Sequence, residues 1–504
     1  MYKDNSQMRI EDFVFPYGEL DCENDWVKLA ALVPWDVAEE QYAAQFVNNG
    51  APAHPCRVAL GSLLIQRRLK CSDRWLVKHI GENPYLQFFI GMKEYGPCPF
   101  GASTLVEFRK RFSEEAMAKI LDASIPTPEK KDDMEDSDPP NGGTLILDAT
   151  CCPADIAYPQ DVNLLNQARE KLEQTIDEIC KSTGRKKPRM YRQRARRDFL
   201  RWSKSKKRSA RAIRSAIRKQ LQYIRRDVGY IVQFVQSGVK LTEKQEERLN
   251  LVTTVYEQQR IMFESGTHSI PGRIVSLSQP WVRPIVRGKV HANTEFGAKL
   301  HISLVDGYAR IERLDFEAYN ESADFWKAVY RFHDRYGRWP ERVLADKIYR
   351  NRQTLAFCTE HGIRLSGPAL GRPPKDQNLT RQMKKQEYLD SCDRNVVEGT
   401  FGTSKTSYGL DRISVRLKET TCCVIGVALL LMNLLRSLRS LLLFFLRRSF
   451  LHLQPAFPYR FGCIDTVTEH SLFKKSLICL RKVQHVISSA ISYFSLTTAL
   501  EVRP

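Results

Sequence analysis

Apolar residues recur at intervals of three and four along the first 125 positions, which is the spacing of helices that bury one face. The predicted helices cover residues 25–47, 56–69, 72–80, 84–92 and 104–121. A capping box, Thr104 to Glu107, opens the last of them. We therefore predict an all-α N-terminal domain over residues 1–125. Its charged outward positions, Arg109 among them, either contact DNA, as in a helix-turn-helix module, or are simply solvated.

The pattern changes to that of a strand after residues 126–143, a Pro-rich, acidic segment that we predict to be a linker. Residues 144–147 form a short apolar run that ends at Asp148, which is typical of a buried strand entered from a loop. A buried carboxylate is costly unless a positive group pairs with it. Asp148 is therefore either a turn cap or ion-pair partner, which this stretch alone favours, or a metal ligand.

Helical spacing returns over residues 161–273, which we predict to be a basic helical insertion. Between Arg185 and Arg226, 19 Lys and Arg residues stand against one acid, Asp198, and aromatic residues are interleaved among them. This density favours contact with DNA phosphates over the alternative of a solvated face. The predicted DNA-binding residues of the insertion are Arg192, Arg196, Arg197, Lys207, Arg208 and Arg211.

Strands and helices alternate between residues 274 and 410, and we predict that they form one α/β core together with residues 144–160. The predicted strands are 298–306, 308–316, 342–345 and 363–365, and the predicted helices are 322–336, 352–361 and 381–405. A turn at Asp306 and Gly307 is expected to join the first two strands as a hairpin.

Residues 411–446 are strongly apolar, and residues 447–504 form a tail whose role the sequence does not indicate. The run at 424–446 raises the question of a membrane span, but Arg436 and Arg439 interrupt it. Each Arg would be costly at the centre of a bilayer. We therefore predict a buried helix followed by a second, amphipathic helix.

The chain of 504 residues is long enough for several domains and is strongly basic, with 78 Lys and Arg, 58 Asp and Glu, and a net charge of +20. This excess favours a polyanionic partner, which is nucleic acid or an anionic membrane surface. The 13 cysteines are an odd number without metal-ligand spacing, so we expect reduced thiols in a cytoplasmic protein. The first 13 residues have no apolar segment, so no signal peptide is expected.

Two predicted strands are each followed by an acid: the strand at 342–345 ends at Asp346, just as the earlier apolar run ends at Asp148. If the two strands are adjacent and parallel, their carboxylates lie close together. Glu398 is the best candidate for a third acid, since Arg394 shares its helix face and Lys405 lies two turns further on. Carboxylate oxygens suit Mg²⁺, and a pair of such ions can activate an attacking oxygen and stabilise a leaving one. The alternative for Glu398 and Arg394 is an ordinary surface ion pair.

Four blocks of sequence follow one another in a specific order: LILDAT at 145–150, residues 283–322, LADKIYR at 344–350 and RNVVEGTFGTSK at 394–405. In order and spacing they resemble the DDE transposases of bacterial insertion sequences, of the insertion-sequence-five type. The segment TLVEFRKRF, which starts at Thr104, is similar to the helical N-terminal domain of that family.

The resemblance implies an RNase H-like catalytic core, a mixed sheet flanked by helices. It implies that Asp148, Asp346 and Glu398 are the catalytic triad and hold two Mg²⁺ or Mn²⁺ ions. Arg394 and Lys405 match cations of the family motif and are predicted to bind phosphate. Related families carry a Tyr three residues before this Arg, whereas this sequence has Ser391 there and Tyr388 one turn earlier.

The predicted function is that of a transposase, which binds the terminal inverted repeats of its element and catalyses metal-dependent DNA cleavage and strand transfer. The predicted partners are double-stranded DNA, as element ends and target, and further copies of the chain in a synaptic complex. We expect no membrane association and a place in the bacterial cytoplasm, at the nucleoid. Two alternatives stay open: an RNase H-fold nuclease or resolvase, and a catalytically inactive DNA-binding protein.

Overall fold

A computed structural model describes residues 9–46, 52–126, 140–286, 294–368 and 376–453, with only the backbone of 442–453. Contacts divide the chain into one compact unit over residues 1–440 and a second over 441–504. The first unit contains the sheet and all the predicted site residues. Most of the predicted linker and nearly all of the tail at 447–504 lie outside the described residues.

Seven helices precede the sheet in the described residues. They are α1 (Asp25–Leu32), α2 (Trp35–Ala43), α3 (Cys56–Leu69), α4 (Asp73–Glu82), α5 (Pro84–Phe89), α6 (Thr104–Arg111) and α7 (Glu114–Ala123). The prediction of one helix over 25–47 is wrong, because the chain breaks at Pro34, which has no backbone N–H to donate. The helix predicted over 104–121 also divides, and Ser113 caps the start of α7 by accepting from Ala116 N–H. The capping box predicted at Thr104 does not form, since Thr104 is already helical.

The sheet of the described residues has six strands in mixed orientation. They are β1 (Thr144–Pro153), β2 (Arg283–Val286), β3 (Thr294–Val305), β4 (Tyr308–Asp315), β5 (Arg342–Leu344) and β6 (Arg364–Leu365). The order is β2-β3-β1-β5-β6, with β4 also paired to β3, and β1, β5 and β6 run parallel. The predicted hairpin at Asp306 and Gly307 is confirmed, with both residues at positive φ, 51° and 77°.

Side chains of β1 alternate between two apolar cores. Leu145 and Leu147 pack with α12 (Phe325–Tyr336) and α13 (Arg352–Glu360) on one face of the sheet. Ile146 packs on the other face with the N-terminal helices, α14 (Gln377–Thr406) and α15 (Lys418–Leu453). Because strand side chains alternate with a period of two, Asp148 points to the face that α14 covers.

The strand β1 is longer than the prediction. It continues through Asp148 to Pro153, because residues 146–153 pair antiparallel with β3. Asp148 therefore lies in the middle of a strand instead of at its end, whereas Asp346 does follow the end of β5.

Four helices separate β1 from β2 in the chain: α8 (Asp161–Thr183), α9 (Arg192–Lys204), α10 (Ala210–Gln236) and α11 (Glu243–Ser265). They have an apolar core of their own, in which Leu172, Ile224 and Val252 are fully buried. The basic segment is thus folded into helices that pack on one another.

The apolar C-terminal segment forms one helix, α15, where two were predicted. Among the described residues, Lys418–Leu441 is the one stretch whose length and composition would suit a membrane span, and 83% of its most apolar window is buried. Asn433 of this helix is fully buried and bonds both the N–H and the C=O of Ala309 in β4, each at 2.9 Å. This contact is that of a core helix.

Candidate active site

Asp148 and Asp346 are brought together by the register of two parallel strands. Ile146 of β1 pairs with Leu344 of β5, so each acid lies two residues beyond the last pair and faces the same side. Each carboxylate is held by the backbone of the next residue. Asp148 Oδ1 accepts from Ala149 N–H at 2.8 Å, and Asp346 Oδ1 accepts from Lys347 N–H at 2.7 Å.

The two carboxylates have different surroundings. The pKa of Asp148 is raised to about 6, chiefly by burial. The charges of Glu321 and Asp346 contribute to the rise, and the hydrogen bond from Ala149 N–H and the charge of Arg394 oppose it. Asp346 is exposed and caps the short 3-10 helix Lys347–Tyr349. Two acids on one face, one of them desolvated, create a concentration of negative charge that a cation would relieve.

Arg394 forms an ion pair with Asp346, in which Nη1 lies 4.0 Å from Oδ1. It lies on α14, which runs along β1 in the same direction. Near the start of β1, Asp393 of this helix bonds Arg342 at 2.6 Å. After the helix ends, Ile413 forms a parallel bridge with Ala154, just beyond the end of β1.

Glu398 lies one turn after Arg394 and is exposed. Asp390 of α14 lies 3.6 Å from Arg342, whose backbone pairs with Thr144. Glu398 follows the fully buried Val397, about 100° further around the helix, and therefore lies on the flank of α14.

The three acids do not form a closed cluster. No group of three His, Cys, Asp or Glu residues close enough to hold a metal ion exists in the described part of the chain. By donor chemistry, the pair of carboxylates fits a hard divalent cation, which prefers oxygen ligands. The structure thus assembles Asp148 and Asp346 and leaves Glu398 apart on the adjoining helix.

The other motif residues of α14 have distinct positions. Lys405 is half-buried two turns beyond Glu398 and lies at nearly the same angle around the helix. Tyr388 is 70% exposed and points about a third of a turn away from Arg394. Tyr388 therefore lies off the face that carries the candidate site.

The predicted DNA-binding residues of the insertion fall into three groups. Arg196, Arg197, Lys207 and Arg211 are exposed. Arg208 lies over the ring of Trp202, 4.2 Å from its centroid, and bonds the carbonyls of Ser203 and Ser205. Arg192 bonds Asp177 at 2.7 Å and the carbonyl of Glu173 at 2.7 Å, so it ties α9 to α8.

Arg109 of the N-terminal helices does not point outward as predicted. It is buried, and its guanidinium bonds Asp73 at 2.5 and 3.1 Å and Gln66 at 2.8 Å. The sequence suggested a charged outer face because Lys110 and Arg111 follow, but a run of three cations covers almost a whole turn of helix. One of them therefore faces inward.

Three residues that the sequence analysis missed lie beside the candidate site. Glu321 bonds Lys299 at 2.7 Å, and its charge acts on Asp148. His301 and Tyr349 are fully buried and bond each other at 2.9 Å. No spacing rule connects these positions to residue 148, because the contact arises from the antiparallel pairing of β1 with β3.

Two transposase family models match separate parts of the chain. A model described as Transposase DDE domain matches residues 343–435, which include Asp346, Arg394 and Glu398. A model described as Transposase domain (DUF772) matches residues 17–111. An uncharacterized protein, ORF8 in the nfe locus of Rhizobium meliloti, is 30% identical over 147 residues, which are 29% of this chain and 70% of that protein. No solved structure matches the chain.

Proposed function

The chain belongs to the DDE-type transposases of insertion sequences, and we propose that it cuts DNA at the ends of its element and joins the freed strands to target DNA. Transposases of this kind are polynucleotidyl transferases that act on DNA. Because the DNA of a bacterial cell lies in the cytoplasm, we expect the chain to act there. The observation that carries the proposal is the register of β1 and β5, which aligns Asp148 with Asp346.

We assign residues 144–160 and 274–410 to an RNase H-like catalytic core. The support is a mixed sheet in which β1 pairs antiparallel with β3 and parallel with β5, with helices on both faces. Residues 1–125 would be the helical DNA-binding domain, 161–273 the basic insertion, and 411–446 the apolar C-terminal helical segment.

Asp148, Asp346 and Glu398 would be the metal-binding catalytic triad. Bound Mg²⁺ or Mn²⁺, two ions in the complete site, supplies Lewis-acid activation of the attacking oxygen and stabilisation of the leaving oxygen. Asp148 and Asp346 provide the preformed part of the site, since each has one oxygen fixed by a backbone N–H. Glu398 approaches from α14, whose buried residues Val397 and Phe401 anchor the helix to the sheet core.

Arg394 would have two roles in the proposed active site. It offsets the negative charge of the carboxylate pair, since it lies 4.0 Å from Asp346 and lowers the pKa of Asp148. With Lys405, it also offers positive charge to a DNA phosphate brought to the acids. The Tyr of related motifs has no counterpart on this face, so Tyr388 is given no role in the chemistry.

DNA would be held outside the catalytic site by the exposed cations of the insertion and by the N-terminal helices. Arg196, Arg197, Lys207 and Arg211 are the principal candidates in the insertion, because their charges face solvent. Arg192 is a weaker candidate, since Asp177 and Glu173 occupy its guanidinium. The terminal inverted repeats would be the specific ligand, and two ends would be joined in a synaptic complex of several copies of the chain.

The test uses purified full-length protein, Mg²⁺ and a plasmid that carries the element with its ends. The parent is expected to cut at the ends and to give strand-transfer products. The variants Asp148→Asn, Asp346→Asn and Glu398→Gln are expected to lose both reactions, by at least about a thousandfold, and to keep parent affinity for end DNA. Asp306→Asn, in the exposed β3–β4 turn, is the matched control and should be as active as the parent.

Cleavage without strand-transfer products would favour the nuclease or resolvase alternative. Full activity of all three variants would overturn the proposed catalytic residues. Retained activity of Glu398→Gln alone would remove Glu398 and leave the carboxylate pair as the site.

A further inference from the structure

His301 and Tyr349 form a buried hydrogen bond directly behind the pair of proposed metal ligands. Tyr349 Oη and His301 Nε2 are 2.9 Å apart, and both side chains are fully excluded from solvent. The contact lies on the face of the sheet that α12 and α13 cover, opposite to the side of Asp148 and Asp346. The two residues therefore do not reach a substrate at the acids.

Each partner of this bond lies next to the backbone that positions one of the acids. His301 lies on β3 and pairs with Ala149, the residue whose N–H holds the Asp148 carboxylate. Tyr349 ends the short 3-10 helix that begins after Asp346, and its own N–H bonds the carbonyl of Asp346 at 3.1 Å. The bond thus connects the backbone beside Asp148 to the turn of Asp346.

The sheet alone fixes this spacing poorly. β5 is only three residues long, its last pair with β1 is Leu344 with Ile146, and Asp346 lies beyond that pair in an exposed turn. Bonds from Ser366 to the backbone of Ala345, and from Arg350 to the carbonyls of Leu365 and Ser366, tie this turn to the end of β6, on the far side of β5 from β1. The buried bond from Tyr349 to His301 ties the same turn to β3, on the side of Asp148.

The protonation of His301 is defined by its surroundings. Its pKa is lowered to about 4, chiefly by burial and also by the charges of Lys299 and Arg313, so the ring is neutral at pH 7. Nδ1 faces Asp324 Oδ2 at 3.7 Å, which is too long for a hydrogen bond, and both atoms are buried without a hydrogen-bond partner in the described structure. The neutral tautomer that suits both sides has the proton on Nδ1, towards the carboxylate, and leaves Nε2 to accept from the Tyr349 hydroxyl.

We propose that His301 and Tyr349 are positioning residues that set the distance between Asp148 and Asp346 for metal binding. The inference rests on the proposed function, because it needs these two acids to be ligands. It assigns the pair no contact with DNA or with the reacting atoms. Groups that orient metal ligands in this indirect way commonly change metal affinity or activity by about 10–100-fold when they are removed.

The first measurement is Mn²⁺ affinity, by calorimetric titration of the full-length protein on uncleaved end DNA. Tyr349→Phe, which removes only the hydroxyl, is expected to weaken Mn²⁺ binding about tenfold and to leave metal-free DNA affinity unchanged. Hydrogen exchange of the backbone over residues 346–350 should rise in the same variant. Tyr336→Phe, at a half-buried Tyr on α12 beside the same apolar core, is the control and should match the parent.

A second pair of variants separates geometry from general packing. His301→Gln places its terminal amide about where Nε2 lies and is expected to keep most of the Mn²⁺ affinity. His301→Asn has the same polar group but ends near Nδ1, so it should weaken binding as Tyr349→Phe does. A merely structural role would make both variants lose thermal stability without separating their metal affinities.

The outcomes distinguish this inference from the function on which it rests. If Asp148→Asn binds Mn²⁺ and cuts DNA like the parent, the proposed site fails and the positioning role falls with it. If Asp148→Asn is inactive while Tyr349→Phe and His301→Asn bind Mn²⁺ like the parent, the proposed site stands and the positioning role is overturned.

Discussion

Asp148 on β1 and Asp346, two residues beyond the end of the adjacent parallel strand β5, face the same side of the sheet, although 198 positions (346 − 148) separate them in the chain. The long helical insertion between β1 and β2 does not disturb this relationship, because it has its own apolar core and both ends of it return to the sheet. The carboxylate pair is therefore a property of the sheet, and its chemistry can be tested apart from DNA binding.

Replacing Asp148 by Asn is expected to stabilise the metal-free protein at neutral pH. The pKa of Asp148 is about 6 in the folded protein, above its ordinary value of 3.8, so folding favours the protonated form. The stability associated with that form is complete below about pH 4 and is lost as the pH rises through 6. Asn has no charge to bury, so its advantage should grow from near zero at pH 4 to about 1–3 kcal/mol at pH 8.

Urea unfolding of the parent and of Asp148→Asn between pH 4 and 8, in the presence of a chelator, measures this difference. Asp306→Asn is the control, because Asn tolerates the left-handed backbone of the hairpin turn. A difference between parent and Asp148→Asn that does not change with pH would contradict the desolvation of this carboxylate.

We expect the exposed cations of α9 to bind DNA, whereas Arg192 stabilises the fold. Arg196→Ala and Arg197→Ala should each weaken binding at low salt and reduce the slope of log affinity against log salt by about 1. Arg192→Ala should change that slope little and lower the free energy of unfolding by about 1–2 kcal/mol, because it breaks the contacts with Asp177 and Glu173. Fluorescence anisotropy over a salt series and chemical unfolding of the same three proteins provide the comparison. An equal salt slope in Arg196→Ala and the parent would remove Arg196 from the DNA surface.

Asp73→Asn is expected to destabilise the N-terminal helices. Burial by itself would raise the pKa of Asp73, but the hydrogen bonds and charge of Arg109, with Gln66, hold it below its usual range. The variant leaves the buried guanidinium without its anion and weakens its charged hydrogen bonds, at a cost of about 2 kcal/mol at pH 7. The stability from a lowered pKa is lost as the pH falls through that pKa, so parent and variant should converge at acidic pH.

The control for this change is Asp25→Asn, whose partner Arg68 forms a more exposed ion pair at 2.7 Å. Its effect should stay below about 1 kcal/mol. Similar losses in the two variants would show that burial of Arg109 does not matter for stability.

Asn433→Leu is expected to destabilise the protein, despite the apolar character of α15. The backbone N–H and C=O of Ala309 would lose their buried partner, at a cost of about 2–3 kcal/mol. Thermal unfolding of the purified protein measures the effect. Leu431→Ile, a volume-conserving change at a fully buried position of the same helix, serves as a control with a smaller loss. A stabilised Asn433→Leu variant would contradict the packing of α15 against β4.

The sequence by itself determined the class of elements, the basic insertion, the hairpin at Asp306 and Gly307, and the acids worth considering. These features depend on local spacing, turn chemistry and charge density, and each of these is a property of residues that are close together in the sequence. Helix breaks at Pro34 and Ser113 were missed, because a helical apolar pattern continues across both interruptions.

Only the tertiary structure decided which cations are exposed and which acids lie close together. Arg109 and Arg192 have the same local pattern as exposed cations, and only packing against Asp73 and Asp177 makes them structural. The antiparallel pairing of β1 with β3 made Asp148 a mid-strand residue and placed His301 beside it. The strand pairings join positions more than a hundred residues apart, and no periodicity within the chain encodes them, because sheet register is set by the whole buried face.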